Sequence, residues 1–511
     1  MTNEHRTTQR LLAWHEGRPL PRGEKVNVHV GDDDEILCLS FIRMGGESLP
    51  WGVALGRPHE DPRIFTVPDP RDRDLVADMM IEVGRLVLAH FGHPSYAPDV
   101  DDAMSVYEFR QLWVPGTSHL ELLHSIAFAY ARTTWERPDV DVLRALGNLA
   151  NCLFVDSQRP GQQTVVVAPT ALTTAFDFPS APVRQAHLGH LLGWMGKEKS
   201  RDSRLRAATE AEKASVAASL DPDFERAELE PRVERWNSVP RDQRVAKGKK
   251  AAREIHASIA EQLLHRHSLV VTTIERLRRD PRGANDGLSD LVRIGTEKFG
   301  RLWWDQVFRE RSSDPSERPY WPGLRGDINA RQAAFAYQQR VAAARQATHS
   351  LVHGDRELQE EELRRGHGVR AKVVAVESGG ARWTLVHDFP DLPDIKVGGS
   401  LAIAGAPKLQ VKVLSYSIED RTIAVAPGWS APKYSTGPMA KRAGDPTWRG
   451  RRLILIEDFP VHFTESLSYR ITAATESGFD ILDYFRRNIA SEMEQAELDA
   501  VDLDVIDGGA E

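Results

Sequence analysis

The chain has 511 residues and a mass of 57.2 kDa, with 41% hydrophobic residues and a formal net charge of −8. That length allows about two to four domains with ordinary cores, which excludes wholesale disorder, and the acid excess excludes a polycation that binds nucleic acid over its whole surface. Its two cysteines, Cys38 and Cys152, sit in apolar runs, which excludes a disulfide framework and a cysteine zinc cage and suits a reducing cytoplasm.

The opening MTNEHRTTQRLLAWHEG lacks the apolar core of a signal peptide. No apolar run approaches the roughly 20 residues of a membrane span, so a cytoplasmic protein without a membrane partner is expected. Residues 1–196 read as a mixed α/β domain. KVNVHV, EILCLSFI and WGVALG are strand-like runs at hairpin spacing, separated by GDDD and GGESLP. Helical patterns follow in DRDLVADMMIEVGRLVLAHFG, SHLELLHSIAFAYART, VDVLRALGNLANCLFV and APVRQAHLGHLLGWM, with Thr117 or Ser118, Asp139 and Ser180 as expected caps.

Residues 197–240 are charge and alanine interrupted by Pro222, Pro231 and Pro240, which predicts a linker with short helices. Residues 241–366 read as a helical stalk. Its last helix is expected to run unbroken from Asp327 to Arg365, with Tyr337, Val341, Ala344, Thr348, Leu351 and Leu358 on a narrow seam and Asp355 in the remaining place. Gly366 and Gly368 then end the helical pattern. VRAKVVAVE, RWTLVHDF, GSLAIAG, KLQVKVLSYSIE, RTIAVAPG and RRLILIED predict a small β-barrel over 367–470. A helix at 471–490 and an acidic, disordered tail at 491–511 complete the chain. The fold class is thus multidomain α+β: a mixed α/β domain, a helical stalk and a C-terminal barrel.

A charged helix, RELQEEELRR, running directly into a small barrel resembles the accessory insertion of superfamily-one helicases of the nonsense-mediated-decay and immunoglobulin-switch-binding branch. The likeness covers about residues 327–430. It implies a stalk that holds a barrel against a single strand of DNA or RNA. No G-x-x-x-x-G-K-[ST] loop is present to hold ATP phosphates, GPMAKRAG being the nearest approach. The resemblance therefore implies that a motor ATPase is supplied by a separate chain.

Cations interleaved with aromatics are the residue types that neutralise phosphates and stack bases. The candidate nucleic-acid-binding residues are Lys247, Lys249, Lys250 and Arg253 at the start of the basic helix, and Trp429, Lys433, Tyr434, Lys441, Arg442, Trp448, Arg449, Arg451 and Arg452 in the barrel loop. A second reading is a metal-dependent hydrolase or nuclease. Its site would lie around His119, His187 and His190, with Asp139, Asp141 or Asp177 as a further ligand, or at the acid clusters Asp32–Glu35 or Asp99, Asp101 and Asp102. A third is a protein–protein scaffold. No segment carries a strong catalytic motif, so no catalytic residue, metal or cofactor is assigned, and the sequence carries no signal of oligomeric state.

Overall fold

Strands buried on both faces read as continuous apolar runs, and ILCLSFIR is such a run. In the computed structural model it forms β2, Ile36–Arg43, near the middle of a five-stranded sheet. The structure describes residues 3–44, 50–96, 109–283, 288–311, 330–387, 395–429 and 441–457. It divides into one unit of Met1–Leu324 with Ala347–Asp458 and a second of Arg325–Gln346 with Phe459–Glu511. The expected C-terminal helix and acidic tail, Lys433, Tyr434 and the aspartates at 99, 101 and 102 lie outside the described residues.

The chain opens with α1 (Asn3–Glu16) and the two-residue strand β1 (Leu20–Pro21), then runs through β2, β3 (Pro50–Gly56), β4 (Arg63–Thr66), α2 (Arg73–His90), β5 (Gln111–Val114), α3 (Thr117–Tyr130), α4 (Val140–Ser157), β6 (Val165–Val167) and α5 (Ala168–Ala175). The strand β7 (Phe176–Asp177) pairs with β1. The main sheet has the order β4-β3-β2-β5-β6, antiparallel from β4 to β2 and parallel from β2 to β6. Alternate side chains of β2 join different cores: Leu37, Leu39 and Phe41 pack with α2, α3 and α4, while Ile36 and Cys38 pack with α5 and the following helix α6 (Leu188–Trp194). Helices thus cover both faces of the sheet.

KVNVHV does not become a strand of that sheet. Its backbone groups are met by loops and side chains instead: Val26 N donates to Gly283 O, His29 N to Gln163 Oε1, and Gln111 Nε2 to His29 O. Val26 and Val28 are buried, but so is Asn27 between them, so the strand-like spacing of the valines is not an alternation of faces. Three expected caps also differ. Asp139 stands at the start of α4, but its side chain makes no capping hydrogen bond. Ser118 Oγ accepts from Ala218 N rather than from its own helix, and α6 is capped by His187, whose Nδ1 accepts from His190 N.

Residues 197–240 carry the expected short helices, α7 (Arg201–Ala211), α8 (Pro222–Phe224) and α9 (Glu230–Asn237), yet they are not a free linker. Leu229, Val233 and Trp236 are buried in the first core. After α10 (Arg244–Lys247) comes α11 (Lys249–Arg278), which packs onto β2 and β3 rather than standing away from the domain. Glycine makes the close approach possible: a Cβ on Gly52 would stand 2.7 Å from Ile259 Cγ2 and 3.0 Å from Leu263 Cδ1 of α11. Then follow α12 (Ser289–Arg311), α13 (Ala330–Gly354) and α14 (Arg356–Arg364).

The expected continuous rod is interrupted between α13 and α14. Asp355 sits in extended backbone and is fully buried. Its carboxylate accepts from Glu357 N and Leu358 N, capping α14, and from Lys25 N and Asn27 Nδ2 of the N-terminal segment. An aspartate can end one helix and start another because its side chain replaces the backbone acceptors that a new helix lacks. Asp355→Ala is expected to cost about 1–3 kcal/mol, from the lost cap and two orphaned donors. Urea denaturation checks this, and Asp355→Asn, which can still cap, should lose less.

The charged run of α14 is consumed by ion pairs at the barrel base. Arg365 bridges Glu361 at 2.8 Å and Glu362 at 2.7 Å, His367 Nδ1 lies 2.9 Å from Glu362, and Arg370 pairs with Glu360. The barrel itself is closed by β8 (Gly368–Val376), β9 (Trp383–His387), β10 (Ser400–Ile403), β11 (Ala406–Ser417), β12 (Thr422–Pro427) and β13 (Arg452–Glu457), in the order β10-β11-β12-β9-β8-β13. All six expected strands are present; β9 and the middle of β11 alternate between a buried and a more exposed face, while β10 and β12 carry runs of three buried residues.

Candidate nucleic-acid interface

The barrel's three tryptophans do not present stacking faces. Trp383 and Trp448 are 0% exposed and Trp429 is 7% exposed, with ring centroids 5.0–6.1 Å apart. Buried indoles need an acceptor for the ring N–H. Each finds a different carbonyl of one short segment: Trp429 Nε1 donates to Lys441 O at 3.1 Å, Trp448 Nε1 to Arg442 O at 2.9 Å, and Trp383 Nε1 to Ala443 O at 2.9 Å. The expectation that Trp429 and Trp448 stack on bases is therefore corrected. They fill the barrel and hold the backbone of the basic segment from beneath.

A glycine turn completes the support. Gly379 and Gly380 both have φ of +76°, and a Cβ on Gly380 would meet Gly444 N at 2.3 Å. Only a residue without a side chain lets the β8–β9 turn lie against residues 443–444. Asp445 closes the other side, accepting from Thr447 N and Thr447 Oγ1, and Lys441 Nζ donates to Thr447 Oγ1 at 2.6 Å.

With its backbone fixed from inside, this segment directs its charge outward. Over the described residues 368–387 and 441–457 there are eight Lys or Arg against three Asp or Glu, so the local field is positive on an acidic protein. Arg442, Arg449 and Arg452 are exposed, and the Arg451 guanidinium lies 5.4 Å from the centre of the Trp448 ring. Lys372 was not singled out in the sequence. It stands directly opposite Arg452 across the β8–β13 pair, and both are exposed. Opposed residues on one sheet face have Cβ atoms about 4.5–5.5 Å apart, and like charges there are destabilising. Among the described residues neither side chain has an ion-pair partner.

The other predicted cations form a separate patch. Lys247, Lys249, Lys250 and Arg253 are exposed at the end of α10 and the start of α11, and α11 has no acidic residue in its first turn. Cations at a helix N-terminus oppose the macrodipole. Lys247 Nζ donates to Gln243 Oε1 at 2.6 Å.

Of the histidines of the hydrolase reading, His119 and His190 are buried and His187 is half-buried. His119 is fully buried beside Phe41, and burial drives its imidazole down to about 3, so it is neutral. His187 Nε2 contacts Ala214 O at 3.1 Å while its Nδ1 caps α6. His190 Nε2 accepts from Trp194 Nε1 at 3.2 Å. Its Nδ1 is 3.3 Å from Glu212 Oε2 but off the line of a hydrogen bond. Burial outweighs Glu212 and holds its pKa below the ordinary histidine range. Among the described residues no three side chains are gathered to hold a metal ion. Asp32–Glu35 is a turn, with Glu35 Oε2 accepting from Asp32 N and Asp33 paired to Arg278 at 2.5 Å.

Among the described residues no helix is long and apolar enough to cross a membrane. No protein-family model, no curated protein and no solved structure matches this chain.

Proposed function

We propose that this protein binds nucleic acid through phosphate contacts on the barrel. The carrying observation is the basic segment 441–452 pinned at three consecutive carbonyls by buried indoles, with Lys372 and Arg452 opposed on the adjoining wall. Maintaining like charges face to face lowers stability, and a phosphate between them removes that repulsion. The reading differs from base stacking: affinity comes from charge, and sequence preference should be weak. The likeness to the helicase insertion adds the expectation that the bound strand is single and that a motor ATPase comes as a separate chain. The cations at the start of α11 would form a second, separate phosphate-binding patch.

Opposite signs in two measurements test this. Lys372→Glu should raise barrel stability by about 0.2–1 kcal/mol, since it converts a repulsive cross-strand pair into an attractive one. The same change should weaken binding of a single-stranded oligonucleotide and lower the slope of log K against log salt by about 0.7 for each phosphate no longer neutralised. Lys372→Glu with Arg452→Glu should roughly double the loss of slope. Salt-independent binding, or binding unchanged in both variants, would overturn the proposal.

A further inference from the structure

A groove of about 620 Å³ lies on the N-terminal unit, far in sequence from the barrel. Its volume is in the range of about 300–1,000 Å³ typical of small-molecule sites. One wall is α1, contributing Thr7, Arg10, Leu11 and Trp14; the other comes from residues 179–184 and from His190, Trp194 and Leu205. Trp14 is 39% exposed and Leu11 64% exposed, although both face a concavity. Trp14 meets Trp194 edge to face at 6.2 Å, and Arg201 covers Trp14 at 5.0 Å from the ring centre. This is an aromatic wall with a wet mouth.

Two of the groove's polar side chains, Arg184 and His190, lean on the same carboxylate, Glu212. Ser180 Oγ is buried without a hydrogen-bond partner. His190 uses Nε2 as an acceptor, so its proton is on Nδ1, and that N–H is misaligned with Glu212. Arg184 Nε forms a long ion pair with Glu212 Oε2 at 3.8 Å, and the side chain is 48% exposed, so its guanidinium can also reach a ligand.

The arrangement does not suit nucleophilic hydrolysis. Ser180, His190 and Glu212 carry the residue types of a catalytic triad, but the Trp194 indole occupies the imidazole nitrogen that would take a serine proton. Nothing in the groove can therefore activate Ser180, and the remaining capacity is binding.

We propose that this groove binds a small planar aromatic anion. Its ring would lie against Trp14 and Leu11, and its carboxylate or phosphate would accept from Arg184 and Arg10. A ring bearing an anion fits because apolar surface and cations occur together: an aliphatic anion would leave the indole wet, and a neutral ring would leave Arg184 with only its long pair to Glu212. The site is independent of the barrel.

Isothermal titration of the full chain with indole-3-acetate, AMP, inorganic phosphate and acetate tests the assignment. One of the two ring-bearing anions should bind at one equivalent with Kd below 1 mM, and which one does so separates an aromatic carboxylate from a nucleotide. Phosphate and acetate should bind at least tenfold more weakly. Arg184→Gln and Trp14→Ala, both with wild-type far-ultraviolet circular dichroism, should each weaken binding at least tenfold. A further variant in the barrel, Arg452→Glu, should leave this binding unchanged, which keeps the test separate from the nucleic-acid reading. Failure of both aromatic anions to bind below 1 mM, equal binding of phosphate, or unaltered affinity in Arg184→Gln would overturn the proposal.

Discussion

Trp448→Ala should destabilise the barrel by about 3–5 kcal/mol, the usual cost of deleting a buried large aromatic. The residue is fully buried between Trp383 and Trp429 and donates to Arg442 O. Truncation leaves a cavity, strips two neighbouring rings of their packing partner and orphans a carbonyl in a turn that other side chains already crowd. Since a whole domain is stable by only about 5–15 kcal/mol, a loss of this size should be evident in guanidinium denaturation followed by near-ultraviolet circular dichroism. Trp448→Phe keeps much of the volume and loses the N–H donor, so it should fall between wild type and alanine. If a base stacked on Trp448, alanine would instead weaken oligonucleotide binding with the melting transition unmoved. That pattern would refute the pinning role.

A comparable loss is expected in the N-terminal unit from Gly147→Ala. Gly147 lies on α4 where it crosses the end of α3, and a Cβ there would stand 2.3 Å from Ala131 N and 2.8 Å from Ala131 Cα. These are backbone atoms, so no rotamer change relieves the clash, and the two helices must separate. Overpacking of this kind costs about 1–3 kcal/mol or more, even though alanine is the better helix former. Gly116→Ala is the control. Gly116 is the N-cap of α3 in extended backbone, and an added methyl there would meet nothing within 4 Å, so the loss should be limited to alanine's poorer capping, about 1 kcal/mol or less. Equal melting of the two variants in differential scanning calorimetry would show that α3 and α4 do not pack as closely as described.

How far the site was legible follows from the same residues. The cations of the barrel loop could be read directly, because Lys and Arg in a Gly- and Pro-rich connection have nowhere to go but solvent. The tryptophans could not. An aromatic between cations has the same local pattern whether its ring faces a base or a core, and three distant positions, 383, 429 and 448, had to meet before the difference existed. Lys372 carried a faint signal, since it occupies a solvent-facing place in the alternation of RAKVVAV. Its opposition to Arg452 depends on strand register, which only pairing sets. The groove left almost none: His187 and His190 marked the helix, but Trp14 lies more than 170 residues away in sequence.

Local chemistry alone determined the six barrel strands, the amphipathic helices of the first domain and the helical character of the middle, because period and turn residues act over a few positions. Tertiary structure decided whether those elements stand apart or pack. The basic helix looked like part of a stalk, since charge lines one side of it, yet Ile255, Ile259 and Leu263 on the other side are seated on a sheet where Gly52 leaves room for them. The rod ending at Arg365 looked continuous, yet Asp355 breaks it, because its buried carboxylate is matched by donors from residues 25 and 27. In both cases the deciding partner is distant along the chain, and a buried polar or apolar surface is stable only where that partner is brought to it.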